Sequence, residues 1–223
     1  PPEEVRWLAE RVETHGGRVS YRRNADGSLS PYELNISYLD AVSNPYANEP
    51  QEKQVQCFIC SQAIALALQG VPAVYFHSLF GSRNWLEGVE RTGHNRTINR
   101  EKLDRATLEA QLADPASRRA AVFSAYAHLI RVRGQEPAFH PLVGQQVAAL
   151  DPRLFSLWRL PREGAALLCL HNVADADVTL RLDLADTPLA GAEALVDVIS
   201  GRRYGAAGGR LSLPLAPYAV CWL

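Results

Sequence analysis

Val5, Leu8, Ala9 and Val12 recur at the i, i+3, i+4, i+7 spacing of one helical face, and Gly16-Gly17 closes that run. Residues 18–31 are polar and read as a loop, with a turn cluster at Asn24-Ala25-Asp26-Gly27-Ser28. Residues 32–42 are amphipathic and fit no single element type. A longer helix is predicted over 51–69, where Val55, Phe58, Ile59, Ile64, Ala65 and Leu68 make a wide apolar face that Gly70 ends. Val71-Pro72-Ala73-Val74-Tyr75-Phe76 follows as a continuous apolar run. It reads as a short buried strand, so helix, glycine turn and strand form one unit of a parallel sheet.

The polar stretch from His77 to Arg100 comes next, where α/β folds gather ligand groups beyond the C-terminal ends of strands. Helices are predicted over about 101–113 and 116–133. Asp114-Pro115 supplies N-cap and first turn of the second, and Val122, Tyr126, Leu129 and Ile130 form its core stripe. Near residue 140 the period changes. Short apolar or alternating runs at 146–150, 154–160, 165–173, 177–184, 194–199, 210–215 and 218–223 predict a small antiparallel β-sandwich. Val178, Leu180, Leu182 and Leu184 keep a strict period of two, and Trp158 and Trp222 fall in apolar runs as core residues. The fold class is therefore α/β plus all-β. Residues 1–138 hold one confident strand, too few to close a parallel sheet, and residues 139–223 form the β-domain.

The net charge of −1, from 23 basic and 24 acidic residues, gives no field for a nucleic-acid backbone. No apolar run reaches the ~20 residues of a membrane helix. Pro1-Pro2-Glu3-Glu4 is unlike a signal peptide, and with no methionine the chain is expected to begin mid-protein. Cys57, Cys60, Cys169 and Cys221 lie in apolar stretches and read as buried thiols rather than a zinc or redox site, which suggests a reducing, cytoplasmic compartment.

Three segments resemble a known family: Tyr32-Glu-Leu-Asn-Ile-Ser-Tyr-Leu-Asp-Ala41, Gln62 through His77 with its Gly-Val-Pro-Ala-Val-Tyr core, and Gly93-His-Asn-Arg-Thr-Ile-Asn-Arg100. Together they resemble the sucrose phosphorylase branch of glycoside hydrolase family 13, in its C-terminal portion. The resemblance implies the end of a (β/α)8 TIM barrel followed by a terminal β-domain. It implies retaining double displacement, in which phosphate resolves a covalent glucosyl-enzyme to α-glucose 1-phosphate. The partners would be an α-glucoside and inorganic phosphate, with no metal or organic cofactor, and a homodimer stays open for the full-length enzyme. The catalytic carboxylates are expected upstream of Pro1, so this portion alone would be inactive.

Carried over residue by residue, Arg96 matches the arginine that holds the glucosyl hydroxyls, with Asn95 beside it. Tyr32 and Glu33 match the loop on the acceptor and phosphate side. The family's sucrose-specific members carry Gln at the Glu33 position. A carboxylate there would repel phosphate or an anionic acceptor unless it is paired, so glucosylglycerate and sucrose 6′-phosphate are as compatible as sucrose. His77, directly after the predicted strand, either faces the site or makes a structural hydrogen bond. Without the resemblance Arg96 would read as a surface arginine. Glu33, Glu87 and Glu90, on loops, read as solvated or salt-bridged rather than as a catalytic pair. A hydrolase or transglucosylase of the same family, or a carbohydrate-binding module, remains as the alternative.

Overall fold

The structure, a computed structural model, describes residues 1–223. The chain forms two compact units, one of residues 1–58 and 74–123, the other of residues 59–73 and 124–223.

In the first unit, α1 (Pro2–Thr14) begins with Pro2 in its first turn, where a missing N–H costs nothing. Ala9 and Val12 are buried, but Val5 and Leu8 of the predicted stripe are largely exposed. The stretch expected to be a loop is instead a hairpin: β1 (Arg18–Arg23) pairs antiparallel with β2 (Leu29–Asn35). Its turn holds itself together, since Ser28 and Asn24 bond backbone to backbone and Asp26 accepts from the Ser28 N–H and hydroxyl. Ser20 faces Glu33 and Tyr21 faces Pro31, so Tyr32 is the extra residue of a β-bulge. Pro31, with no N–H to give the ladder, sits where a bulge tolerates it. The ambiguous stretch resolves into the end of β2 and a short α2 (Tyr38–Val42), capped by Ser37.

Helix α3 spans Gln51–Ala67. Val55, Phe58, Ala63, Leu66 and Ala67 form its buried face, while Ala65 and Leu68 are exposed. Residues 71–75 form neither helix nor strand and join no sheet. Val71 is 82% exposed and Tyr75 49%. This corrects the expected buried strand: a strand is completed by ladder bonds from a neighbour, and β1 and β2 pair only with each other, as do the strands beyond residue 140. The chain continues through α4 (Phe76–Leu79), α5 (Leu86–Thr92), a 3-10 turn (Asn95–Asn99), α6 (Arg105–Ala113) and α7 (Arg118–Gln135). α7 starts three residues later than the Asp114-Pro115 signal. The Asp114 carboxylate is taken by the Ala116 N–H in a local turn, leaving Ser117 to accept from the Arg119 N–H. Val122, Tyr126 and Leu129 are buried as predicted, and Ile130 is 38% exposed.

In the second unit the strand predictions hold closely. β3 (Gly144–Ala148), β4 (Leu154–Leu160), β5 (Leu167–Asn172) and β10 (Val220–Trp222) form a four-stranded antiparallel sheet in the order β10-β5-β4-β3. β6 (Val178–Asp183) pairs with β9 (Arg210–Leu215), and β7 (Ala194–Val196) with β8 (Arg203–Gly205), a strand the pattern did not show. One hydrophobic cluster joins Trp158, Leu168 and Leu170 to Val178, Leu180, Leu211, Leu213 and Leu215. Each fully buried side chain of this kind contributes about 1.5–3 kcal/mol of transfer free energy. Trp158 and Trp222 are core residues as expected, 6% and 0% exposed. Asn172 ties the loops down: its amide donates to the carbonyls of Ala176, Leu215 and Ala216. No helix is long and apolar enough to cross a membrane.

Candidate functional site

The site residues lie in the first unit, on the β1–β2 hairpin and on the segment from α4 to the 3-10 turn. The chain leaves α5 through Gly93, whose φ of 67° is open to glycine and strained for other residues. That turn delivers Asn95 and Arg96 to the side of β2. Arg96 Nε donates to Glu33 Oε2 at 2.8 Å, joining positions 63 residues apart. The hydrogen bond and charge of Glu33, with a smaller contribution from Tyr32, hold the Arg96 guanidinium still more firmly protonated. Asn95 Nδ2 donates to Ser20 Oγ at 3.3 Å, and Asn35 Nδ2 donates to the same oxygen at 2.9 Å. Ser20 thus clamps the hairpin to the 3-10 turn.

Between these elements runs an open groove of about 460 Å³ lined by Ser20, Glu33, Gly93, His94, Asn95, Arg96, Thr97 and Arg100. Glu33 is the single carboxylate among them, paired with Arg96, and Arg100 is a second cation in the lining. Glu33 engages Nε of Arg96, which leaves the two terminal nitrogens of the planar fork free of that bond. The predicted residues Glu33, Asn95 and Arg96 therefore meet in one groove, and Tyr32, 61% exposed at the bulge, stands beside it.

His77 lies elsewhere. It is buried in a separate cavity of about 290 Å³ whose wall includes Ser37, Tyr38, Tyr75 and Ser82. Its Nδ1 meets Ser82 Oγ at 3.0 Å, and the rings of Tyr75 and Phe76 flank it. Burial pushes its pKa down; Glu101 opposes that and Arg119 adds to it. Of the groove residues beyond the prediction, His94, Thr97 and Arg100 stand in the same Asn-Arg-Thr-Ile-Asn-Arg neighbourhood and could have been found by proximity. Ser20 carried no signal, because its strand has no apolar period.

No protein-family model matches the chain. Solved structures share its fold. A sucrose 6F-phosphate phosphorylase from Thermoanaerobacter thermosaccharolyticum superposes with a TM-score of 0.63 over 78% of this chain and 32% of its own, at 17% identity. An Anoxybacillus α-amylase gives 0.63 over 84% of this chain and 35% of its own, at 10% identity. The fold is thus that of a part of the α-amylase-like enzymes of glycoside hydrolase family 13. Sequence narrows this. The chain is 43% identical over 78% of its length to a glucosylglycerate phosphorylase of Allomeiothermus silvanus, and 37% identical over 100% of its length to one of Spirochaeta thermophila. It spans 31% and 38% of those relatives. The chain is homologous to the glucosylglycerate and sucrose phosphorylases, a family of glycosyltransferring enzymes, over about a third of their length.

Proposed function

We propose that the protein carrying this chain is a retaining α-glucoside phosphorylase whose donor is glucosylglycerate. The observation that carries this reading is the 37% identity to a glucosylglycerate phosphorylase along the whole chain, against 28% over 80% of it to the sucrose phosphorylase of Agrobacterium vitis. The groove supports it. Arg96 offers a rigid donor fork to sugar hydroxyls, and Ser20, Asn95 and Thr97 add neutral hydrogen-bonding groups. Glu33 is paired with Arg96, so its charge is compensated and the groove remains open to an anionic group.

In the reaction, a carboxylate from outside these residues attacks the anomeric carbon while an acid protonates the departing glycerate oxygen. A phosphate oxygen then displaces the carboxylate and leaves as α-glucose 1-phosphate. Arg96 and Asn95 fix the ring in one pose, and orientation of this kind supplies several kcal/mol.

The test is the full-length protein with inorganic phosphate and, separately, glucosylglycerate, sucrose and sucrose 6′-phosphate, assayed for glucose 1-phosphate. Release from glucosylglycerate alone is expected. Free glucose with no phosphate requirement would make the protein a hydrolase and overturn the reading.

A further inference from the structure

Asp40 is 1% exposed, and every polar atom it has is engaged. Its Oδ1 accepts from Arg83 Nη1 at 2.5 Å and its Oδ2 from the Asn84 N–H at 2.7 Å. Its carbonyl meets His15 Nδ1 at 2.6 Å, and its N–H donates to Ser37 Oγ at 3.3 Å. Arg83 is held from its other side by Gln54. A buried carboxylate is expensive unless paired and hydrogen-bonded, so such a group fixes the geometry of whatever it ties together.

It ties together the two halves of the groove. Asn84 Oδ1 accepts from the Ser37 N–H at 2.7 Å, two residues beyond the end of β2, and Asn84 Nδ2 donates to the His15 carbonyl at 3.1 Å. The next residue, Trp85, donates its N–H to the Ile98 carbonyl at 2.7 Å, inside the 3-10 turn that carries Arg96. An unbroken path of bonds thus runs from β2, through Asn84 and Trp85, to the turn. Asp40 sits behind its middle and is in neither cavity wall described above.

We infer that Asp40, acting through Asn84, is a positioning residue that sets the spacing between Glu33 and Arg96 and so the width of the groove. Asp40 touches no ligand. Its effect on turnover rests on the reading of the groove as the glucoside site, whereas its coupling of the two segments does not.

The experiment uses full-length protein with Asp40→Asn, Asn84→Ala and, as a destabilised control in the other unit, Leu213→Ala. Asp40→Asn keeps the shape, removes the charge that holds Arg83 and turns an amide N–H toward a donor. Hydrogen exchange followed by mass spectrometry is expected to quicken at least tenfold in peptides covering 29–37 and 84–99 for both node variants. Leu213→Ala should leave those peptides unchanged. In phosphorolysis, Asp40→Asn should cost at least tenfold, and adding Arg96→Lys to it should cost less than the product of the two single losses, because both act on the same contact. Unchanged exchange in these peptides, equal quickening in the Leu213→Ala control, or strictly multiplicative losses would each overturn the inference. If Asp40→Asn fails to fold, Asn84→Ala carries the exchange and additivity measurements. If the wild type performs no phosphorolysis, the functional reading falls and the exchange result alone decides the coupling.

Discussion

Acidification should destabilise the second unit through one side chain, His171. It is fully buried in β5, with Nδ1 3.0 Å from the Phe155 carbonyl and Nε2 accepting from the Trp222 indole N–H at 3.4 Å. That arrangement needs the neutral ring with its proton on Nδ1. A second proton on Nε2 would face the indole donor. Burial pushes the pKa of His171 down to about 4, against the pull of the Phe155 and Ala63 carbonyls toward the charged form. In the unfolded chain the ring takes its proton near the ordinary value of about 6.5. Between those values the unfolded state holds a proton that the folded state does not. Stability from this group is therefore complete above about pH 6.5 and is lost as pH falls toward 4. At about 1.4 kcal/mol for each pH step, the loss totals roughly 3 kcal/mol, a sizeable part of a domain's usual 5–15 kcal/mol. The assay is urea unfolding, followed by tryptophan fluorescence, at pH 7.5, 6.5, 5.5 and 4.5. The comparison is His171→Asn, which keeps a donor for the Phe155 carbonyl but cannot titrate. Wild type should lose about 2.5 kcal/mol more than the variant across this range, most of it below pH 6. Parallel pH profiles for the two proteins would refute the reasoning.

Other substitutions test the core and the groove. Leu213→Ala, at a fully buried position of β9, should cost about 2–5 kcal/mol in urea unfolding. Arg96→Ala in the full-length protein should lower the proposed phosphorolysis at least tenfold, about 1.4 kcal/mol of barrier, and unchanged kinetics would remove Arg96 from the site. Gly93→Ala places a Cβ at φ 67° in open space, so its cost is backbone strain of about 1 kcal/mol, and Michaelis constants for the donor should rise with it.

The strands beyond residue 140 were legible because their alternation is written by burial. Leu211, Leu213 and Leu215 point to the core between exposed Arg210, Ser212 and Pro214. The β1–β2 hairpin was not legible, because Arg18, Tyr21, Arg22 and Arg23 are exposed and no apolar period exists to read. Its register comes from the turn chemistry of Asn24–Ser28 and from the bulge at Tyr32. The opposite error fell on Val71–Phe76, where an apolar run signalled a buried strand and the structure gives it no ladder partner. For the site, periodicity is silent about the meeting of Glu33 and Arg96. Motif resemblance placed both residues on a ligand site, and only the folded chain shows that they pair. The pairing around Asp40 and Asn84 was not legible, because a short helix and a distant polar stretch give no sequence sign that their polar residues meet in a buried node.

The hairpin turn carries a consequence for how such a groove can diversify. Its bonds are local: Asn24, Asp26, Ser28 and Ser30 bond among themselves, and a Cβ added at Gly27 would meet nothing within 4 Å. The pairing of Ser20 with Glu33 is set several residues back, at the bulge. The tip can therefore change its exposed side chains and its charge while the floor of the groove keeps its register. Substitutions that keep these local bonds would alter the charge at the far end of the hairpin without disturbing the contact between Glu33 and Arg96, a division between a variable tip and a fixed base.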